Sequence, residues 1–267
     1  LRVNPDDIEA RASGINHFTF FTELRNRRTG EDLLGKVRAW YERSFFDYSP
    51  RTQRVARFLD RTMAGAGLVE FNYMPLVAHV VRDYGLVPCS VDSHIGEYLP
   101  FALDTSDWMP TPIDFHQPFA EVAERAAAWA ADTRVPLPLQ VAGMSGEEVI
   151  AIIDAMWNDD STRLMAVNVP NDGLLSDVAE GTIVEVGAIV DGDGIHPDVM
   201  APLGEPLAGW VNTQAALQEM VVDAALTGDA DLAFQALRED PCSPPDEASC
   251  RAMFAELHQL QADKLPF

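Results

Sequence analysis

A glycine-led run near the start of the chain constrains the fold more than any other segment. Gly14-Ile15-Asn16-His17 enters a stretch, Ile15 to Leu24, that is rich in β-branched and aromatic side chains. Such a stretch predicts a strand. Long helical patterns follow it, and further strand-like segments come later without regular alternation. We therefore expect an α+β domain rather than a βαβ series.

Apolar spacing and turn residues predict the remaining elements. The approximate positions are helices at 31–63, 69–84, 119–132, 145–157, 211–226, 229–238 and 246–262, and strands at 164–169 and 183–190. The length of 267 residues allows one large domain or two small ones, and we treat 1–267 as one domain. No G-x-G-x-x-G motif follows a predicted strand, so the sequence carries no recognisable dinucleotide fingerprint.

The charge balance excludes some classes of partner. With 42 acidic and 19 basic residues the formal net charge is -23, and such a field repels phosphate backbones and anionic lipid heads. Nucleic-acid and membrane binding are therefore not expected, and no run of about 18 apolar residues suggests a membrane span. The three cysteines, Cys89, Cys242 and Cys250, lack metal-knuckle spacing. That usage is typical of a reducing cytoplasm.

Two segments carry candidate chemistry by residue type alone. An imidazole such as His17 at a strand start is either a packed histidine or a ligand for a divalent transition metal. In Asp92-Ser93-His94-Ile95-Gly96-Glu97 the ionisable residues suggest a shaped loop rather than a helix face. Asp92 could accept a proton, His94 could bind sugar hydroxyls or a metal-bound water, and Glu97 could orient either. The structural alternative is a polar loop whose acid caps the next element.

A third segment is a strand, a turn and a second strand. Asn168-Val169-Pro170-Asn171-Asp172-Gly173 precedes Val184-Glu185-Val186 and Gly194-Ile195-His196-Pro197. We expect positive φ at Gly173 and Gly192. Plain structure explains this pattern as well as function does.

Taken in order, these segments resemble glycoside hydrolase family 4. The resemblance rests on Gly14-Ile15-Asn16-His17, on the Asp-x-His-x-x-Glu-aromatic-x-Pro stretch from Asp92 to Pro100, on Asn168 to Gly173, and on the helix pair from Gln218 to Asp229. It implies the substrate-facing, C-terminal portion of such an enzyme, with the fold of a lactate/malate dehydrogenase C-terminal domain. The Rossmann NAD-binding domain of the family, and the cysteine that completes its metal site, would then lie outside this chain.

The resemblance also implies a mechanism. In the family, NAD oxidises the C3 hydroxyl of the sugar, a base removes the acidified C2 proton, and Mn2+ stabilises the enediolate. The aglycone leaves, water adds, and the hydride returns to C3. The implied substrate is an α-linked galacturonide or galactoside, and Arg82 or an arginine among 51–61 could bind a uronate.

The resemblance assigns roles to particular residues. His17 would be the metal ligand and Asp92 the base, with Tyr84 the second choice because another branch of the family uses a tyrosine. The substrate contacts would be Asn16, His94, Glu97 and Asn168, with Asn171 beside them.

The expected partners and the rival functions complete the hypothesis. The expected partners are a sugar substrate, the separate NAD-binding domain and further copies in a homo-oligomer. We expect residues 1–267 alone to be inactive. The alternatives are the C-terminal domain of a lactate/malate-type dehydrogenase, in which His94 would be the catalytic histidine, and a catalytically silent oligomerisation module.

Overall fold

The computed structural model describes residues 3–43, 74–105, 116–132 and 148–265. The chain divides into two compact units, described separately below. The first comprises Leu1–Trp108, Arg163–Ile189 and His196–Phe267, and the second comprises Met109–Thr162 and Val190–Ile195. The arginines of 51–61 and the predicted helix start at Ser145 lie outside the described residues.

Helices and strands alternate irregularly, so the α+β expectation is confirmed. A 3₁₀ turn at Pro5–Asp7 precedes the rest. The strands are β1 (Ile8–Ile15), β2 (Phe18–Asn26), β3 (Thr162–Pro170), β4 (Ile183–Asp191) and β5 (Gly194–Pro197). The described helices are α1 (Leu34–Arg43), α2 (Pro75–Tyr84), α3 (Asp92–Ile95), α4 (Ala102–Thr105), α5 (His116–Ala131), α6 (Val149–Asn158), α7 (Leu207–Thr227), α8 (Ala230–Glu239) and α9 (Glu247–Leu260).

The sheet has the order β2-β1-β4-β3, with β5 paired to β4. β1 and β2 form an antiparallel hairpin in which Ile15 pairs with Phe18. Asn16 and His17 are therefore the two-residue turn, and His17 has the left-handed φ of 65° that a tight hairpin turn requires. The prediction of one strand across Ile15 to Leu24 was wrong at its start, because the chain reverses direction at Asn16 and His17 and only the part from Phe18 to Leu24 lies in β2.

Gly14 is required by the close approach of the two hairpin strands. Its φ is 153°, and a Cβ placed on it would lie 2.3 Å from the carbonyl oxygen of Phe18 and 2.9 Å from Cα of Thr19. Both are backbone atoms that cannot rotate away, so a side chain at this position would push the strands apart. The glycine that opens the motif thus serves the hairpin.

The core of the first unit lies between the sheet and α2. Phe18, Phe20, Val184 and Val186 are almost fully buried, as the period of two along a strand predicts for one face. The apolar face of α2 covers them, and the largest buried side chains of the neighbouring segments are Leu76, Val80, Ile95 and Leu99. This packing holds the hairpin and the short helix α3 in one cluster, which places the candidate site.

The three C-terminal helices follow the predicted pattern. α7 ends at Gly228, whose φ of 71° is the left-handed conformation of a C-cap. Asp229 then caps α8 by accepting from the backbone N–H groups of Asp231 and Leu232. Asp246 caps α9 through Ser249 N–H.

The second unit contains α5, α6 and the turn between β4 and β5. The backbone N–H of Gly192 donates to Asp159 Oδ1 at 2.9 Å. Gly194, with a φ of 125°, adopts the positive φ that was predicted for Gly192. No helix in the described part of the chain is long and apolar enough to cross a membrane.

Candidate functional site

The tip of the β1–β2 hairpin presents an exposed histidine. The side chain of His17 is 44% exposed, and its positive φ places it in the turn rather than in the strand. Neighbouring Phe18 is fully buried, so the chain passes from core to solvent within one residue. His17 is therefore held on a rigid base while its ring remains accessible.

One face of the segment after α2 covers this tip. His94, Glu97 and Tyr98 stand at helical i, i+3 and i+4 positions, which share a face. The ring of His94 stacks on that of His17, with centroids 4.1 Å apart and planes at 6°. Glu97 Oε2 lies 3.5 Å from His17 Nδ1, and Tyr98 Oη donates to the carbonyl oxygen of Asn16 at 3.1 Å. Three of the predicted substrate contacts, Asn16, His94 and Glu97, thus lie beside the predicted metal ligand.

Ser90 belongs to the same cluster, although no sequence motif pointed to it. Its Oγ lies 2.6 Å from Nδ1 of His94. Pro88 forms a bridge to Phe20 of β2, and Cys89 N–H donates to the Thr19 carbonyl at 2.8 Å. Ser90 therefore directly follows two residues that are paired with β2.

The thiol of Cys242, in the loop between α8 and α9, contacts the backbone of the segment that follows α3. Cys242 Sγ lies 3.3 Å from the carbonyl oxygen of Gly96 and 3.4 Å from that of Glu97. Burial, and then the negative charges of Asp240 and Glu97, raise the pKa of this thiol to about 11. The protonated thiol can donate to these carbonyls and is a poor nucleophile. All three cysteines are free, so the loop disulfide that Cys242 and Cys250 could form is not made.

Asp92 lies on the opposite face of α3. Its carboxylate is 8% exposed and accepts from the backbone N–H groups of Leu76 (3.0 Å) and Val77 (2.8 Å). These are unpaired donors of the first turn of α2, so the carboxylate caps that helix. The segment is thus a helical turn with two different faces, and the prediction of a shaped loop was wrong. The acid caps the preceding helix rather than the next element.

The environment of Asp92 also sets its acidity. Burial raises its pKa to about 6, while the hydrogen bonds from Leu76 and Val77 act in the opposite direction. The negative charge contributes to the raised pKa of Tyr41 in α1, after burial of the phenol itself. Asp92 therefore faces α1 and α2, whereas His94 faces the hairpin tip.

Tyr84 packs into an aromatic cluster at the end of α2. Its ring stacks on Phe101 at 5.6 Å and meets Trp210 edge-on at 5.1 Å. His79 contacts the same tyrosine at 6.1 Å. With 39% of its surface exposed, Tyr84 remains accessible at the rim of this cluster.

The Asn168–Gly173 motif separates into two environments. Asn168 lies exposed near the end of β3. Asn171 is only 2% exposed: its amide donates to the carbonyls of Leu175, Val178 and Ala179, and its Oδ1 accepts from Leu175 N–H. Asn171 is saturated by backbone groups, so the expectation that it lines the substrate side was wrong. Gly173 has the predicted positive φ, 72°.

Glu185 has a structural contact, as its position in a strand suggested. Its carboxylate accepts from the hydroxyl of Thr19, which lies two strands away. Gly14 stands between them, paired with both residues in the sheet. The absence of a side chain at Gly14 leaves room for this contact across β1.

An apolar groove among the C-terminal helices has a different chemistry. Helices α7, α8 and α9 enclose a cavity of about 340 Å³ with a mainly apolar lining that includes Leu217, Val221, Phe254 and Leu257. Such a lining offers few hydrogen-bonding groups to a sugar. The hairpin tip remains the candidate site because its exposed groups are imidazole, carboxylate and amide.

The hairpin tip supplies one side chain, the imidazole of His17, that is suited to coordinate a metal ion. Among the described residues no group of three or more His, Cys, Asp or Glu side chains is arranged to hold a metal. The ring of His17 has Nδ1 near Glu97, which leaves Nε2 for coordination. A carboxylate beside one ring nitrogen is the usual arrangement behind a metal-bound histidine.

Comparison with known proteins identifies the family of this domain. Residues 12–243 match the model of the family 4 glycosyl hydrolase C-terminal domain. An alpha-glucosidase of Erwinia rhapontici is 27% identical over 95% of this chain and 55% of its own length. An alpha-galacturonidase of Bacillus subtilis is 29% identical over 95% of the chain and 54% of its own length. The chain spans about half the length of these curated relatives.

Solved structures show the same fold. A Bacillus subtilis crystal structure described as a glucosidase matches with a TM-score of 0.71 at 26% identity, over 94% of this chain and 56% of its own. A 6-phospho-alpha-glucosidase from gut microorganisms, solved with NAD and Mn2+, matches with a TM-score of 0.66 at 19% identity, over 98% and 56%.

These findings define a mixed α/β domain of a sugar-processing enzyme family. The family model covers most of the chain, and the chain belongs to family 4 of the glycosyl hydrolases as its C-terminal domain. The family expected from the order of the sequence motifs is therefore confirmed.

Proposed function

We propose that this chain is the substrate-binding part of an NAD- and manganese-dependent glycosidase that hydrolyses α-linked galacturonides or galactosides. The observation that carries the proposal is the family match across 12–243, together with the exposed imidazoles at the hairpin tip. Several curated relatives are named alpha-galacturonidase, which supports this choice of substrate. The dehydrogenase alternative is not kept, because the matched family is a glycosidase family.

Different residues at the hairpin tip would bind the metal ion and the sugar. When bound, NAD supplies reversible hydride transfer and manganese supplies Lewis-acid stabilisation of negative charge. His17 would hold the metal through Nε2, with Glu97 orienting the ring. The exposed edge of His94 and the amide of Asn16 would bind sugar hydroxyls, and Asn168 would contact the substrate only if the bound sugar extends to the end of β3.

Two residues are candidates for the base that removes the C2 proton, Asp92 and Tyr84. A pKa of about 6 would suit Asp92 as a base near neutral pH. Both of its oxygens, however, cap α2 on the face away from His17. Tyr84, the second candidate, lies at the rim of an aromatic cluster. We therefore propose Asp92 first as the cap of α2, and Tyr84 as the variant to compare with it.

The test uses the full product of the gene that encodes this chain. With NAD and Mn2+ it should hydrolyse nitrophenyl α-galactoside or an α-galacturonide, and in D2O it should exchange deuterium into C2 of the sugar. The 267-residue chain alone should do neither. A full product that hydrolyses no such substrate and exchanges no C2 proton would contradict the proposal.

His17→Asn is the variant that tests the metal role. Asparagine tolerates the positive φ of the turn better than alanine does, so the hairpin is kept. Loss of several kcal/mol of metal stabilisation should lower kcat/KM by about 10³-fold, together with the Mn2+ affinity measured by electron paramagnetic resonance. The matched control is His196→Asn in β5, which should retain activity. Wild-type manganese affinity in His17→Asn would remove His17 from the metal site.

A further inference from the structure

We propose that Ser90 is a positioning residue that fixes the ring orientation and tautomer of His94, and through the ring stack the orientation of His17. The inference rests on the proposed function for its consequence in catalysis. Its structural part depends only on contacts among described residues of the first unit.

The first step is the contact itself. A histidine ring can turn by 180° about its last side-chain bond with little change of shape, so packing alone selects its orientation weakly. A hydroxyl 2.6 Å from Nδ1 selects one of the two orientations. With Nδ1 engaged, Nε2 is the nitrogen that remains for a ligand, and it is protonated when the hydroxyl donates to Nδ1 and unprotonated when the hydroxyl accepts from Nδ1–H.

The second step is the rigidity of the serine. The chain before it is bound to β2 by the Phe20–Pro88 bridge and by the bond from Cys89 N–H to the Thr19 carbonyl. β2 is also the strand that leaves the turn carrying His17. The positions of both imidazoles therefore depend on the same hairpin: that of His17 through the turn and that of His94 through its contact with Ser90.

The third step is the stack. Two rings at 4.1 Å and 6° are in face-to-face contact, so a flip or a tautomer change of His94 keeps the stack but exchanges the polar and apolar edges of the ring on which His17 rests. Ser90 is hydrogen-bonded to Nδ1 of His94, and the Glu97 carboxylate lies 3.5 Å from Nδ1 of His17. Each ring thus has one nitrogen facing a protein group and the other available, which is the arrangement needed to bind a sugar hydroxyl or a metal ion with defined polarity.

The test compares Ser90→Ala with Ser90→Thr, which keeps a hydroxyl. Ser176→Ala, in an exposed position of the loop between β3 and β4, is the matched control. Long-range ¹H–¹⁵N spectra of the labelled 267-residue chain report the tautomer of each histidine. We expect one tautomer for His94 in the wild type, in Ser90→Thr and in Ser176→Ala. In Ser90→Ala we expect a mixture, with shifted ring signals for His17.

Unchanged His94 and His17 signals in Ser90→Ala would overturn the proposal. If that variant fails to fold, the wild-type spectrum decides, because a rapidly averaging His94 tautomer would also overturn it. In the full gene product, Ser90→Ala should lower kcat/KM by about 10-fold and Ser90→Thr should restore most of it, as for other groups that orient a functional histidine. A wild-type enzyme without glycosidase activity would refute the proposed function and leave the spectroscopic result intact.

Discussion

The hairpin tip with residues 90–98 and the loop 171–182 between β3 and β4 are both rich in polar side chains, yet they use them differently. In the loop, the side chain of Asn171 is buried and its hydrogen-bond partners are backbone groups. At the tip, His17, His94 and Glu97 contact one another and remain partly exposed. A polar group saturated by backbone stabilises the fold, whereas polar groups that face each other in solvent can exchange those contacts for a ligand.

The same contrast exists within a single turn of helix. Asp92 belongs to the backbone-saturated kind, because it caps α2, while His94 two residues later belongs to the exposed kind. Spacing along a sequence therefore does not define a constellation until the local secondary structure is known. Residues two apart in a helical turn point in nearly opposite directions.

Gly14→Ala gives the largest expected effect on stability and tests whether the tip depends on the hairpin. A Cβ would meet two backbone atoms of β2 at 2.3 and 2.9 Å, so we expect a loss of about 3–5 kcal/mol in the free energy of unfolding. Urea denaturation followed by circular dichroism measures it. Gly30→Ala is the control: its φ is 70° but no atom lies within 4 Å of the added carbon. It should lose only about 1–2 kcal/mol, and equal losses would show that no clash occurs at Gly14.

The next effect separates the two asparagines of one motif. Asn171→Ala removes the side-chain partner of three carbonyls and one N–H in a buried site; the Leu175 and Ala179 carbonyls keep a backbone N–H donor, whereas the Val178 carbonyl and the Leu175 N–H lose the partner described above. We therefore expect a loss of about 2–4 kcal/mol in the free energy of unfolding. Asn168→Ala, at an exposed position, should change it by less than about 0.5 kcal/mol. Chemical denaturation of the two variants in parallel is the measurement. Equal losses would contradict the structural role assigned to Asn171.

The smallest effect concerns the pH dependence contributed by Asp92. The pKa of this carboxyl is raised from 3.8 to about 6 in the folded protein, so the native state binds the proton more tightly than the unfolded state does. The free energy of unfolding should therefore fall as pH rises from about 4 through about 6, by at most about 3 kcal/mol. Asp92→Asn should lack this component.

The measurement for Asp92 is the difference between the two pH profiles. Other carboxyl groups titrate in both proteins and cancel in the subtraction. A constant difference between pH 4 and 7 would show that the pKa of Asp92 is not raised. C2 exchange by Asp92→Asn in the full gene product adds a second readout: loss of exchange in a fully folded variant would return Asp92 to the role of base.

The sequence by itself determined the family, the α+β class and the strongest element boundaries. Gly228 and Asp229 specified the end of α7 and the start of α8, because a left-handed C-cap and an N-cap carboxylate are local signals. The ordered motifs led to the same family that the comparisons show. The structure brings His17, His94 and Glu97 together, although His17 is far from the other two in sequence; their assignment as metal ligand and substrate contacts stays a prediction.

The tertiary structure alone decided which polar residues face which partner. Ser90 and Cys242 reach the site through the edge of β2 and the C-terminal helices, and no periodicity in the sequence encodes such contacts. Asp92 does not lie on the same face as His94 and Glu97, because the segment forms a helical turn whose side chains point in different directions. The direction of a side chain depends on the packing of several elements together, whereas caps, turns and strand propensities are properties of a few consecutive residues.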